Sequence, residues 1–161
     1  MHMMNQPHLP AIVGAIYDCI PDGLLWQDTL EQIRGAWEGE VATLGVVDSV
    51  SGALRLSVTC GRPGLLEPLL SYGAEDVPFY SAAPKMDLDV PQTVDTIYAL
   101  QGPDARERWL SSRAAGEWAI PNRLDDFLWV PVMRQASRVG SLVIGLGPTE
   151  VEVVEEAIDP P

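Results

Sequence analysis

Residues 41–60, VATLGVVDSVSGALRLSVTC, decide the fold. The first eight, VATLGVVD, make an almost unbroken apolar run, which suits a central strand buried on both faces. Asp48-Ser49-Val50-Ser51-Gly52 has the composition of a turn. Beyond it Leu54, Leu56, Val58 and Cys60 alternate with Arg55, Ser57 and Thr59. That period of two belongs to a strand with one covered and one wet face. The pair predicts a β-hairpin, so at least part of the sheet is antiparallel.

Such a hairpin needs a cover, and the flanking sequence supplies one. Ile12, Val13, Ile16, Tyr17 and Ile20 share a stripe on a helix that begins near residue 10 and is broken by Pro21-Asp22-Gly23. A second helix carries Trp26, Leu30, Ile33 and Trp37, with Gly39 as its stop. After the hairpin, Gly61-Arg62-Pro63-Gly64 is a break, and residues 65–72 predict a short helix. Residues 73–92 hold Pro78, Pro84 and Pro91 without a clear period. Phe79 and Tyr80 make this a packed loop or lid and not a solvated linker.

Residues 94–100 predict a strand. Gly102-Pro103-Asp104 then opens a helix bearing Ala105, Trp109 and Leu110 and ending at Gly116. Residues 127–133 and 139–146 predict a second hairpin around Gln135-Ala136-Ser137-Arg138. Pro131 cannot donate to a ladder, which predicts a bulge or an open edge. Thr149 and Glu152 have the spacing of a capping box for a tail helix over residues 149–159, whereas residues 1–9 lack any period and read as a loose arm. The expectation is one domain over residues 1–161, of α/β (α+β) class, with a five- to six-stranded, mainly antiparallel sheet flanked by helices.

Ten basic residues stand against twenty-three acidic ones, for a net charge of −13. Lys85 is the single lysine, and the arginines are scattered. Duplex binding needs clustered cations that displace counterions, so direct nucleic-acid binding is not expected, nor is docking on anionic lipid. The charge reads as solubility. No apolar run approaches the ~20 residues of a membrane helix and the start lacks a signal-peptide pattern, which predicts a cytoplasmic protein away from membranes.

The chemical inventory is thin. His2 and His8 are the only histidines, and both fall in the arm. That removes the commonest general base and most metal-site patterns. Phosphate-cradling glycine motifs are missing. The acid pairs Asp87/Asp89 and Asp125/Asp126 fall in loops, where solvation is the ordinary fate of a carboxylate. Cys19 and Cys60 sit on the apolar sides of a helix and a strand, as small buried hydrophobes do. Cys60 does lie two residues from Arg62, the setting of a reactive thiol if it is exposed. No catalytic residue, metal ligand or cofactor is predicted. The aromatic residues say more. Five tryptophans are present, and Trp109, Trp118 and Trp129 fall in the second half with Tyr98, just beyond Phe79 and Tyr80 near the middle of the chain. An indole offers a broad apolar face with one donor, suited to a small planar or amphipathic ligand as well as to plain core packing.

The order of elements, with particular residues in it, resembles the GAF/PAS-like sensor halves that precede LuxR-type helix-turn-helix domains. The matching text begins at residues 12–37, IVGAIYDCIPDGLLWQDTLEQIRGAW, with its D-x-x-L-W link. It continues through the hairpin at residues 41–61 and through Tyr72 with Asp76-Val77-Pro78. It resumes at Arg108-Trp109-Leu110 and in the strands DFLWVPVM and VGSLVIGL. The likeness covers residues 10–147. One departure is the segment RWLSSRAAGEW, where the family carries a charged helix of the type F-Y-N-D-W-L. The DNA-reading half is also missing, so the resemblance implies a sensor without its effector.

The resemblance further implies a pocket between the sheet and the segments covering one face, walled by Tyr72, Phe79, Tyr80, Trp118 and Trp129. Its occupant would be a small apolar or aromatic ligand. Domains of this type also pair through their terminal helices, which implies a homodimer. Three readings follow: a non-catalytic sensor tied to transcription regulation or signalling, a dimerisation module without a ligand, and a small thiol-dependent or hydrolytic enzyme. The last is the poorest in acid–base groups.

Overall fold

The computed structural model describes residues 9–19 and 21–148. The arm with both histidines, the Ile20 end of the first stripe and the tail helix with its Thr149–Glu152 box lie outside the described residues, except that Leu9 opens the first helix. Helix α1 spans Leu9–Asp18 and α2 spans Trp26–Ala36. Between them Asp22 accepts a hydrogen bond from the Leu24 amide (3.1 Å) and caps a 3-10 turn over Gly23–Leu25.

Four strands follow: β1 (Val41–Asp48), β2 (Leu54–Gly61), β3 (Asp126–Gln135) and β4 (Arg138–Leu146). They form one antiparallel sheet in the order β2-β1-β4-β3. Both expected hairpins are present, joined where β1 pairs with β4 from Val41↔Gly145 to Asp48↔Arg138. Pro131 sits next to a register shift on the outer strand β3, as its missing donor requires.

The sheet has four strands and not five to six. Residues 94–100, expected to be a strand, belong to a helix, α3 (Val94–Gln101). Thr93 accepts from the Thr96 amide while Thr96 accepts from the Thr93 amide, a reciprocal cap that satisfies two otherwise orphaned donors. Asp95 adds favourable charge to the first turn. Val94, Ile97 and Tyr98 share one helical face on the core. Their branched and aromatic character suggested a strand, and the cap decides otherwise.

The covering segment also differs in detail. Residues 65–72 shorten to one 3-10 turn, Glu67–Ser71, with Pro68 in its first positions. The expected loop contains a 3-10 helix, Pro78–Lys85. The helix after Gly102 is α4 (Ala105–Leu110), followed by a π-helical turn over Ala115–Ala119 that includes Gly116 instead of ending there.

The two faces of the sheet are clothed differently. Ala42, Leu44, Leu142 and Ile144 pack against Ile12, Leu30 and Ile33 of α1 and α2. The opposite face meets residues 62–125, which run from β2 across the sheet to β3. Strand β2 changes sides midway. Leu44 pairs with Val58 but Gly45 pairs with Leu56, so Ser57 is extra and the alternation reverses. Val58 and Cys60 therefore join the helical face, while Leu54 and Leu56 face the crossing segment. At this bulge a Cβ on Gly45 would lie 2.7 Å from the Arg55 carbonyl oxygen, which only glycine avoids.

The β1–β2 turn is held by the Asp48 carboxylate, which accepts from the amides of Val50 (3.0 Å) and Ser51 (3.1 Å). Those donors hold its carboxyl below the usual carboxylate range. Gly52 has φ +75°, and a Cβ there would stand 2.2 Å from the Ala74 nitrogen. Gly52→Ala combines left-handed strain with a backbone collision, and we expect it to cost about 1–3 kcal/mol in urea unfolding. An unchanged midpoint would show that the turn is not docked on residues 73–74. Among the described residues no helix is long and apolar enough to cross a membrane.

Candidate ligand-binding cavity

The floor of the site follows from the pleat. Alternate residues of β1 and β4 point toward the crossing segment, and many are small: Thr43, Gly45, Ser141 and Gly145, beside Val41 and Val143. Positions that Leu or Phe would fill are left short, so the sheet and its cover do not close fully. The result is a partly enclosed cavity of about 130 Å³. Engineered apolar cavities on the order of 150 Å³ admit a benzene-sized guest, so this space suits one ring or a short chain.

The roof is built from aromatic residues. Phe79 stacks on Trp109 (centroids 4.2 Å apart), meets Phe127 edge-on at 5.1 Å and lies 5.8 Å from Tyr98. Such geometries add about 0.5–1.5 kcal/mol per pair beyond burial. Trp118 donates its Nε1 proton to the Leu65 carbonyl at 2.6 Å, and Trp129 donates to Ser141 Oγ at 2.6 Å. The roof is also fastened to itself, by Arg62 donating to the Asn122 carbonyl (2.8 Å) and by the Ala114 amide donating to the Asp76 carbonyl (3.1 Å).

Of the five residues expected as walls, Phe79, Tyr80, Trp118 and Trp129 line this cavity. Tyr72 does not. It is buried, but its hydroxyl turns to Glu117 (3.4 Å) and its ring lies under the Arg113 guanidinium, 5.1 Å from the centroid. Arg113 in turn pairs with Glu117 at 3.0 Å and lies 3.9 Å from Asp76. Tyr72 thus belongs to a latch outside the cavity, and burial raises its phenol above the ordinary value. Sequence reading missed Trp109, Phe127, Leu54 and Leu56 as lining residues. Trp109 was visible as the apolar side of a helix, but nothing local told which cavity that side would face.

Tyr80 is the chemically distinctive wall. Burial alone pushes its phenol up to about 12. The acid pair Asp125 and Asp126 also borders the space. Asp126 Oδ1 accepts from the amides of Val94 (3.1 Å) and Phe127 (2.7 Å), which ties β3 to the start of α3. Asp87 and Asp89 are exposed. Among the described residues no cluster of three metal-ligating side chains exists.

Neither cysteine has the surroundings of a nucleophile. Cys19 is buried, with its sulfur 3.3 Å from the Ala15 carbonyl and 3.2 Å from Thr29 Oγ1. Cys60 is half-buried, and burial together with the nearby Glu31 carboxylate pushes its thiol up to about 11. Arg62, the cation two residues on, is spent on Asn122, and Arg34, which does act to lower the thiol, is paired with Glu31 and does not offset the rise. The Cys60 thiolate is therefore scarce at neutral pH. We expect alkylation of Cys60 by iodoacetamide to be far slower than that of free cysteine at pH 8 and to keep accelerating toward pH 11. A rate that levels off near pH 8 would contradict this environment.

No family model and no curated protein matches the sequence. Solved structures do resemble the fold. The VqsR LBD domain from Pseudomonas aeruginosa superposes with a TM-score of 0.63 at 10% identity, over 86% of this chain and 80% of that one. The GAF domain of an Acinetobacter phosphoenolpyruvate-protein phosphotransferase gives 0.52 at 18% identity, over 93% and 82%. The phycoerythrobilin-bound GAF domain of a cyanobacterial phytochrome gives 0.53 at 13% identity, over 94% and 85%. At such identities the likeness concerns architecture: the chain has a GAF-like fold.

Proposed function

We propose that this chain is a non-catalytic, cytoplasmic sensor domain, one unit over residues 1–161, whose cavity takes a small apolar or aromatic ligand. The observation that carries the reading is the cavity itself, an apolar space floored by undersized strand residues and roofed by stacked aromatics. Phe79, Tyr80, Trp118 and Trp129 are its ligand-contacting walls in this reading. The ligand-binding and bilin-bound domains that share the fold support it. The link to a LuxR-type regulator rests on the sequence resemblance. A reading frame that continues into a basic helix-turn-helix is the outcome that supports it.

The test is a thermal-shift screen of small aromatic and aliphatic compounds, with native mass spectrometry of the purified protein. A compound present at about 100 times its Kd stabilises by about 2.7 kcal/mol and should alter tryptophan emission. If no compound shifts the melting curve and none is carried through purification, the sensor reading falls.

A second role is compatible with the first. Val13, Ile16 and Tyr17 of α1 are exposed, Tyr17 by 67%, and such a face suits pairing with another copy. We expect a homodimer by sedimentation at tens of micromolar, weakened in Ile16→Asp. A monomer at all concentrations excludes this role.

A further inference from the structure

The cavity walls narrow the chemistry of the occupant. Among the described residues no lysine, arginine or histidine lines the space, and the carboxylates that line it are those of Asp125 and Asp126. An anion taken in would lose its water with no cation to replace it and would meet two like charges. The polar groups of the wall are mostly committed within the protein. Thr43 donates to the Val58 carbonyl at 3.0 Å, Trp118 to Leu65 and Trp129 to Ser141.

Tyr80 is different. The residue is 8% exposed and lines the cavity, and its hydroxyl makes no hydrogen bond among the described residues. Yet no fully enclosed side-chain oxygen there is left without a partner, so this hydroxyl borders open space. Tyr80 stands in the wall of an apolar cavity and its hydroxyl has no partner among the described residues, so an acceptor on an occupant would add a hydrogen bond that the protein alone does not make.

We infer that the occupant is a non-anionic molecule of about one ring, carrying a carbonyl or ring-nitrogen acceptor that receives the Tyr80 hydroxyl proton. This rests on the reading that the cavity takes a small ligand, and it adds the sign of charge, the functional group and the residue that selects it. Carboxylated analogues of the same size are excluded by the same walls.

The experiment measures binding of toluene, acetophenone and benzoate to the full chain at pH 7, by calorimetry and thermal shift, in wild type and Tyr80→Phe. Acetophenone should bind more tightly than toluene, and benzoate at least about 100-fold more weakly than acetophenone. Tyr80→Phe should weaken acetophenone about five- to tenfold and leave toluene within about twofold. If neither toluene nor acetophenone binds, the cavity reading fails and this inference falls with it. If toluene binds but benzoate matches acetophenone, or acetophenone keeps its advantage in Tyr80→Phe, the ligand chemistry alone is wrong. Should the variant not fold, wild type still decides. Acetophenone must discriminate against benzoate and must perturb a tyrosine in the ultraviolet difference spectrum, and the lack of either overturns the inference.

Discussion

Trp129→Ala should cost about 3–5 kcal/mol of stability, the range for removing a large aromatic side chain from a core. Trp129 is 5% exposed and lies on β3 opposite Val143 of β4. Its indole forms part of the cavity wall, and its Nε1 proton is donated to Ser141 on the neighbouring strand. Deleting it removes packing, opens the cavity and strips Ser141 of its donor at once. For a chain of this size, and a total stability of about 5–15 kcal/mol, that is a fall of roughly 10 °C or more in Tm. Trp129→Phe separates the contributions: it keeps most of the apolar area and loses the hydrogen bond, for about 1–2 kcal/mol. Guanidinium unfolding of both variants checks this. A loss under about 1 kcal/mol for the alanine would mean that Trp129 does not pack as described.

Phe79→Ala should be similarly severe, about 3–5 kcal/mol, but its damage should be local. Phe79 sits on the 3-10 helix Pro78–Lys85 and touches Tyr98 of α3, Trp109 of α4 and Phe127 of β3. It is the contact through which three short elements of the roof grip the sheet. None of these is long enough to be stable by itself. Hydrogen exchange should accelerate across residues 78–110 well before it does in β1 or β4. Phe79→Leu should recover most of the burial but not the aromatic geometry, and so fall between the two. Uniform loss of protection over the whole chain would show that the roof and sheet unfold as one unit.

Parts of this fold were legible in the sequence and others were not, for physical reasons. Both hairpins could be read because a strand announces itself within eight residues. The position of Pro131 foretold the irregularity of β3. The supposed strand at residues 94–100 failed because its branched residues carry little weight against the cap made by Thr93 and Thr96. The reversal of β2 at Ser57 was hidden, since one extra residue leaves no mark on an alternating pattern; only Gly45, on the partner strand, records it. The cavity residues were half legible. Of the five aromatic residues that the family resemblance implied as walls, Phe79, Tyr80, Trp118 and Trp129 line the space. Tyr72 lies outside this space, turned to Arg113 and Glu117, partners more than forty positions away that no local pattern reveals. The hollow floor could not be seen at all, because it arises from small residues of two strands meeting across a register.

The outer strands have a consequence for how copies of this chain meet. An amyloid-like or sheet-extending contact needs a straight rail of unpaired amides, and neither rim offers one. On β2 the rail is broken at Ser57, and on β3 it is interrupted at Pro131 and partly occupied by Asp89 and Gln92, which hydrogen-bond to Pro131 and Trp129. Polymerisation by strand addition is thereby disfavoured, so concentrated solutions of the folded protein should resist fibril formation.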